Sequence, residues 1–151
     1  MTFLWIIITV LITLADRLTK IFASANFNSK DVEVIPGILS MVYVENTGAA
    51  FSILKDKTWL LSIVSLLFCI FAVVYYIVKK PRNKILCLSG TLVFAGALGN
   101  AIDRIFYGYV IDFIKTDFIE FPVFNVADIA ITVGAILLMV YVIFFDNREK
   151  T

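Results

Sequence analysis

Residues 58–78 read TWLLSIVSLLFCIFAVVYYIV, 21 positions without a formal charge, closed by Lys57 on one side and Lys79 on the other. As a helix rising about 1.5 Å per residue, this run is roughly 31 Å long, the thickness of a bilayer's hydrocarbon core. Working outward, Ile85 to Ile102 supplies 18 uncharged residues between Lys84 and Asp103. Ile129 to Phe145 supplies another 17 before Asp146 and extends backwards through Phe124. Met1 to Ala15 is uncharged but short, so a crossing there carries Asp16, Arg17 and Lys20 towards the far interface. The composition agrees: 61% of the 151 residues are hydrophobic and 17% charged, against roughly 45–50% apolar in soluble domains. The sequence therefore predicts one integral membrane domain over residues 1–151. It is all-α, with spans at about 3–22, 58–78, 85–103 and 124–145, a small extracytoplasmic β hairpin or cradle, and a short extracytoplasmic helix.

Charge sets the orientation. Lys79, Lys80, Arg82 and Lys84 crowd the short link between spans two and three, while the long segment before span two holds only Lys30, Lys55 and Lys57. Basic loops stay inside, so the link and both termini are expected in the cytoplasm of a multi-pass protein. The loops at 23–57 and about 104–123 then lie outside. In the first, Val32, Val34, Met41 and Tyr43 read as two β runs around the turn pair Pro36-Gly37. The second, Tyr107 to Val123, has room for the surface helix. The alternative of a cleavable N-terminal signal, with Ala23-Ser24-Ala25 as its site, fits poorly: no Lys or Arg precedes the apolar core, and three charges separate that core from the site.

Several function classes fall away. A net charge of +1 gives no basic field for nucleic acid. With no histidine in the chain, Ser-His, Cys-His and His-zinc chemistry are closed to it. Cys69 and Cys87 sit in apolar runs without CxxC spacing and read as packing residues. Carboxylates remain. Asp16, Asp103, Asp112 and Asp128 all map to the outer end of the expected bundle, and an acid deeper in a bilayer costs on the order of 2.5–3.5 kcal/mol by insertion scales. Asp16, Thr19 and Lys20 share a helix face, as do Gly96, Asn100 and Asp103. These read either as local pairs and close helix packing or as a polar site. Asn125 reads as a helix N-cap with Asp128 at N3. Asp112, within Tyr109-Val110-Ile111-Asp112-Phe113-Ile114, lies in apolar surroundings that raise a carboxyl pKa. Two acids meeting at one site would share a proton, as in aspartic proteases. Spacing does not by itself bring Asp112 and Asp128 together.

Five segments taken in order resemble a known family: Asp16-Arg17-Leu18-Thr19-Lys20, Asn46 to Ser52 (NTGAAFS), Gly96 to Arg104 (GALGNAIDR), Val110-Ile111-Asp112-Phe113 and Phe124-Asn125-Val126-Ala127-Asp128. In order and spacing the chain is similar to the bacterial lipoprotein signal peptidases, or signal peptidase II. The resemblance implies an aspartic endopeptidase of the bacterial cytoplasmic (inner) membrane, working at its outer face. It would cleave lipid-modified prolipoprotein substrates just before the diacylglyceryl cysteine, in contact with membrane lipids and with no cofactor, metal or nucleic acid. It further implies a catalytic dyad of Asp112 and Asp128, with Asn46, Gly48 and Asn125 near the substrate. Asp16, Lys20, Asn100, Asp103 and Arg104 would orient the site. One rival is a small four-span transporter or channel subunit whose interfacial carboxylates guide ions. Another is a Ser-Lys hydrolase built on Ser52 with Lys55 or Lys57.

Overall fold

The structure is a computed structural model that describes residues 2–28, 30–48 and 54–145. Seven elements follow in order: α1 (Thr2–Asn26), β1 (Val32–Ile35), β2 (Leu39–Asn46), α2 (Thr58–Lys79), α3 (Lys84–Tyr107), β3 (Val110–Thr116) and α4 (Val126–Phe144). Three of them, α2, α3 and α4, are long and apolar enough to cross a membrane. α1 has the length but carries Asp16, Arg17 and Lys20. α2 buries only Cys69 fully, while Ile63, Val64, Leu66, Leu67, Ile70, Phe71, Ile77 and Val78 stay open. A helix that is apolar all round and covered on so little of its surface requires a lipid solvent.

Local chemistry sets the helix ends. Asn83 caps α3, its side chain accepting from the Ile85 and Leu86 amides, and Gly108 closes the same helix in the left-handed conformation (φ 79°) that glycine adopts without a Cβ penalty. α3 is the hub, packed against α1, α2 and α4. Small residues make the approach possible. A Cβ added at Gly96 would lie 2.3 Å from the Ala127 carbonyl oxygen, and one at Gly99 would lie 2.7 Å from the Asp16 carboxylate.

The segments that connect the helices differ from expectation in one respect. The expected hairpin is present, with Val32 opposite Met41 and Glu33 opposite Ser40. The second loop, however, contributes strand β3 where a surface helix was expected, and 107–123 holds no helix beyond the end of α3. Val110-Ile111-Asp112-Phe113-Ile114 is rich in β-branched and aromatic residues, and the open edge of β2 offers it backbone partners. An antiparallel sheet of order β1-β2-β3 results, with Val44 facing Asp112 and Asn46 facing Val110. The chain then returns along β3: the Phe113 and Ile114 amides donate to the Phe124 carbonyl at 3.1 and 2.9 Å, so that α4 starts at Val126, two residues later than expected. Ala49, Ala50, Phe51 and Ser52 of the second motif lie outside the described residues, and with them the serine of the Ser-Lys reading.

Candidate active site

The interior of this apolar protein is polar at one end. Asp16, Lys20, Asn100, Asp103, Asp112 and Asn125 are all buried, at 5% exposure or less. They come from α1, α3, β3 and the start of α4.

Lys20 is the centre of charge. Its ammonium lies 2.8 Å from Asp16 Oδ2, 2.8 Å from Asp103 Oδ2 and 2.9 Å from Asn100 Oδ1, so all three of its protons are used. Arg17 adds a second cation, 2.6 Å from Asp103 Oδ1, and also bonds and stacks on Tyr107, its guanidinium carbon 4.7 Å from the ring centre. Two acids and two bases therefore balance. Buried charges are tolerated only when paired and fully hydrogen-bonded in this way.

The two carboxylates also reach backbone. The Ile111 amide donates to Asp103 Oδ2 at 3.3 Å and the Ala127 amide to Asp16 Oδ1 at 2.9 Å. Each donor immediately precedes an aspartate, Asp112 in one case and Asp128 in the other. The ion cluster thus fixes the backbone that presents both.

Lys20 also settles the orientation of Asn100. An ammonium only donates, so the Asn100 oxygen faces it and the amide nitrogen points away, donating to Asp128 Oδ1 at 2.8 Å. Asn125 joins the two aspartates. Its amide nitrogen donates to Asp112 Oδ1 at 2.6 Å, its oxygen accepts from the Asp128 amide at 2.9 Å, and its own amide donates to Asp128 Oδ2 at 3.2 Å. This is the expected cap, a capping box, and it also holds two acids at one place.

Asp112 is 2% exposed and takes a second donor, Asn46 Nδ2, at 2.8 Å on Oδ2. Burial, reinforced by the nearby Asp128 charge and opposed by the amide donors, raises its carboxyl from 3.8 to about 7. Lys115, three residues on, projects from the opposite face of the strand and pairs with Asp117 at 3.2 Å, so it does not neutralise Asp112. Asn46 is itself oriented by the Gly48 amide, which donates to its oxygen at 2.9 Å, and Arg104 reaches the Gly48 carbonyl at 3.3 Å. Asp128 is the more open acid, half-buried at the first turn of α4.

All ten residues singled out in the sequence therefore belong to one connected cluster. Arg17 was missed, although it lay within a quoted motif. Its signal was a cation on an expected span with no acid at i±3 or i±4, which requires a partner on another helix. Among the described residues no group of His, Cys, Asp and Glu has the arrangement to hold a metal ion.

Comparison with known proteins finds relatives over most of the chain. A family model described as signal peptidase (SPase) II matches residues 8–144. The lipoprotein signal peptidase of Clostridium acetobutylicum is 41% identical over 140 residues, covering 90% of this chain and 91% of that protein. That of Lactobacillus johnsonii is 40% identical over 148 residues, covering 97% and 96%. A solved structure described as a bacterial membrane enzyme, determined by the in meso method, superposes with a TM-score of 0.88 at 36% identity, covering 97% of this chain and 91% of its own.

Proposed function

The chain belongs to the signal peptidase II family, and from that premise we propose that it removes signal peptides from prolipoproteins by aspartic chemistry, with Asp112 and Asp128 as the dyad. The observation that carries the reading is Asn125, hydrogen-bonded to both acids in a chain without histidine.

In this reading Asp128 is the ionised partner, supported by the backbone amide and the Asn100 amide that donate to its two oxygens and by the helix dipole at the start of α4, which favours an anion. Asp112, raised to about 7, holds its proton in about half of the molecules at pH 7 and in more of them below it. Asp128 takes a proton from water as the water oxygen attacks the scissile carbonyl carbon. Asp112 gives its proton to the carbonyl oxygen, forming a neutral gem-diol. In the collapse the leaving nitrogen takes the proton held by Asp128 and the C–N bond breaks, while a gem-diol hydroxyl returns a proton to Asp112. Asn46 and Arg104 supply donors for substrate carbonyls; the Arg104 Nε has no hydrogen-bond partner among the described residues.

The substrate is a precursor lipidated on cysteine, cut before that residue. An acyl anchor confines the peptide to the membrane surface, and a site at the ends of the spans meets it there, so positioning supplies much of the rate. The whole chain acts as one domain with four spans in the cytoplasmic membrane, both termini inside and the site outside. The transporter reading is weaker because the buried acids gather at one end and α2 carries none. Incubating the enzyme with a lipid-modified precursor and with its unmodified form tests the proposal. Cleavage of the first alone is expected, and equal cleavage of both would overturn it.

A further inference from the structure

A concave feature lies at the other end of the molecule from the aspartate cluster. A cleft of about 440 Å³ opens between the start of α1, the end of α2 and the start of α3. Trp5, Tyr76 and Pro81 form its walls, Cys87 contributes to the lining, and Lys80 and Arg82 are the cations along it. Trp5 precedes Lys20 by 15 positions on α1, so the cleft stands about 20 Å along the helix axis from the aspartate cluster. No substrate peptide seated on the dyad needs to reach it.

The chemistry of the cleft is divided. Its polar hydroxyls are already engaged with each other, Tyr76 donating to Thr2 Oγ1 at 3.3 Å, and the Cys87 thiol donates to the Pro81 carbonyl at 3.2 Å. The remaining walls are apolar. Lys80 and Arg82 are exposed and have no carboxylate partner among the described residues, and Lys79 and Lys84 flank them. Lys80 caps the end of α2 in the left-handed conformation at φ 46°, its backbone N–H donating a hydrogen bond to the Tyr76 carbonyl. An aromatic pair at span ends, apolar walls and cations without a carboxylate partner among the described residues match an amphiphile with an anionic head and hydrocarbon chains. A soluble anion would gain nothing from the walls, and a neutral lipid nothing from the cations.

We propose that this cleft is a binding site for one anionic glycerophospholipid, its phosphodiester between Lys80 and Arg82 and its acyl chains along Trp5 and Tyr76. Basic pockets between spans on the cytoplasmic side have this use in other membrane proteins. Each cation contributes about a fivefold preference for an anionic over a zwitterionic headgroup.

Trp5 reports directly, because Trp59, the other tryptophan, starts α2 at the far end. The Trp59→Phe enzyme is placed in nanodiscs of phosphatidylcholine containing a minor fraction of brominated phosphatidylglycerol or, separately, brominated phosphatidylcholine. Brominated phosphatidylglycerol should quench Trp5 more strongly. Arg82→Gln should cut that preference about fivefold, Lys80→Gln with Arg82→Gln should abolish it, and Arg82→Lys should retain it. These variants should keep peptidase activity, which shows that they fold. Equal quenching by both lipids, or a preference that survives the double change, overturns the proposal. So does displacement of the lipid by glycerol phosphate, which would make the site one for a soluble anion.

Discussion

Asp112 and Asp128 have the same side chain, and the proposed mechanism gives them opposite tasks. The Asp112 carboxyl, raised from 3.8 to about 7 by burial, must hold its proton for the proposed chemistry. Activity should therefore fall above about pH 7, approaching tenfold per unit, in a kcat/KM profile. The same shift acts on stability with a definite sign. Between pH 3.8 and about 7 the folded chain binds a proton that the unfolded chain has released, so stability should decline as pH rises through that window. Asp112→Asn should make the decline shallower by Asp112's share, which thermal unfolding in detergent at several pH values would show. Lys20 presents a different case. Lys20→Met would leave Asp16 and Asp103 facing each other, buried and without their shared cation. A loss of about 3–5 kcal/mol is expected, seen as reduced abundance as well as reduced activity. Wild-type abundance would show that the cluster is not structural. The sequence made most of these residues legible, because acids, amides and a lysine at the ends of apolar runs stand out. It did not give the Arg17–Asp103 pair, which depends on the rotation of α1 against α3.

At the level of elements, α3 brings the charged face of α1 and the start of α4 to one place, and its glycines set the distances. Gly99→Ala would drive a Cβ to within 2.7 Å of Asp16 Oδ2, beside the ammonium of Lys20 and the start of α4. Overpacking of this kind costs about 1–3 kcal/mol, and cleavage should drop with it. Gly90 has nothing within 4 Å of an added Cβ, so Gly90→Ala should be tolerated. Comparing the two alanines by cleavage rate per folded enzyme separates close approach from helix propensity. Equal effects would remove the packing argument. β3 is the element that sequence pattern misjudged. Its burial runs through Val110, Ile111, Asp112 and Phe113 without alternation: β2 pairs along one edge, the returning Phe124 bonds to the other, and α1 and α3 pack against the strand. A period-2 signal exists only where one face is solvated, so composition alone could mark the segment and not its pairing.

For the whole molecule, the spans were legible from charge-free length, since lipid demands continuous apolar helices. α1 was harder, because its charges are satisfied inside the protein and not by water. In the proposed topology the basic link around Arg82 and the sheet around Tyr43 lie on opposite sides of the membrane. Reporter fusions at the two positions should read cytoplasm and exterior respectively, and the same side for both would refute the four-span arrangement. The central claim is that Asp112 and Asp128 together cut a lipid-anchored peptide. Its most direct measurement is cleavage of a lipid-modified precursor by Asp112→Asn, Asp128→Asn and Asp103→Asn enzymes at matched folded abundance. Each of the first two should lose about 100- to 10,000-fold, while Asp103→Asn should lose less per folded molecule. Substantial turnover by a folded Asp112→Asn or Asp128→Asn enzyme, with Asp103→Asn inactive, would contradict it and place Asp103 in the dyad.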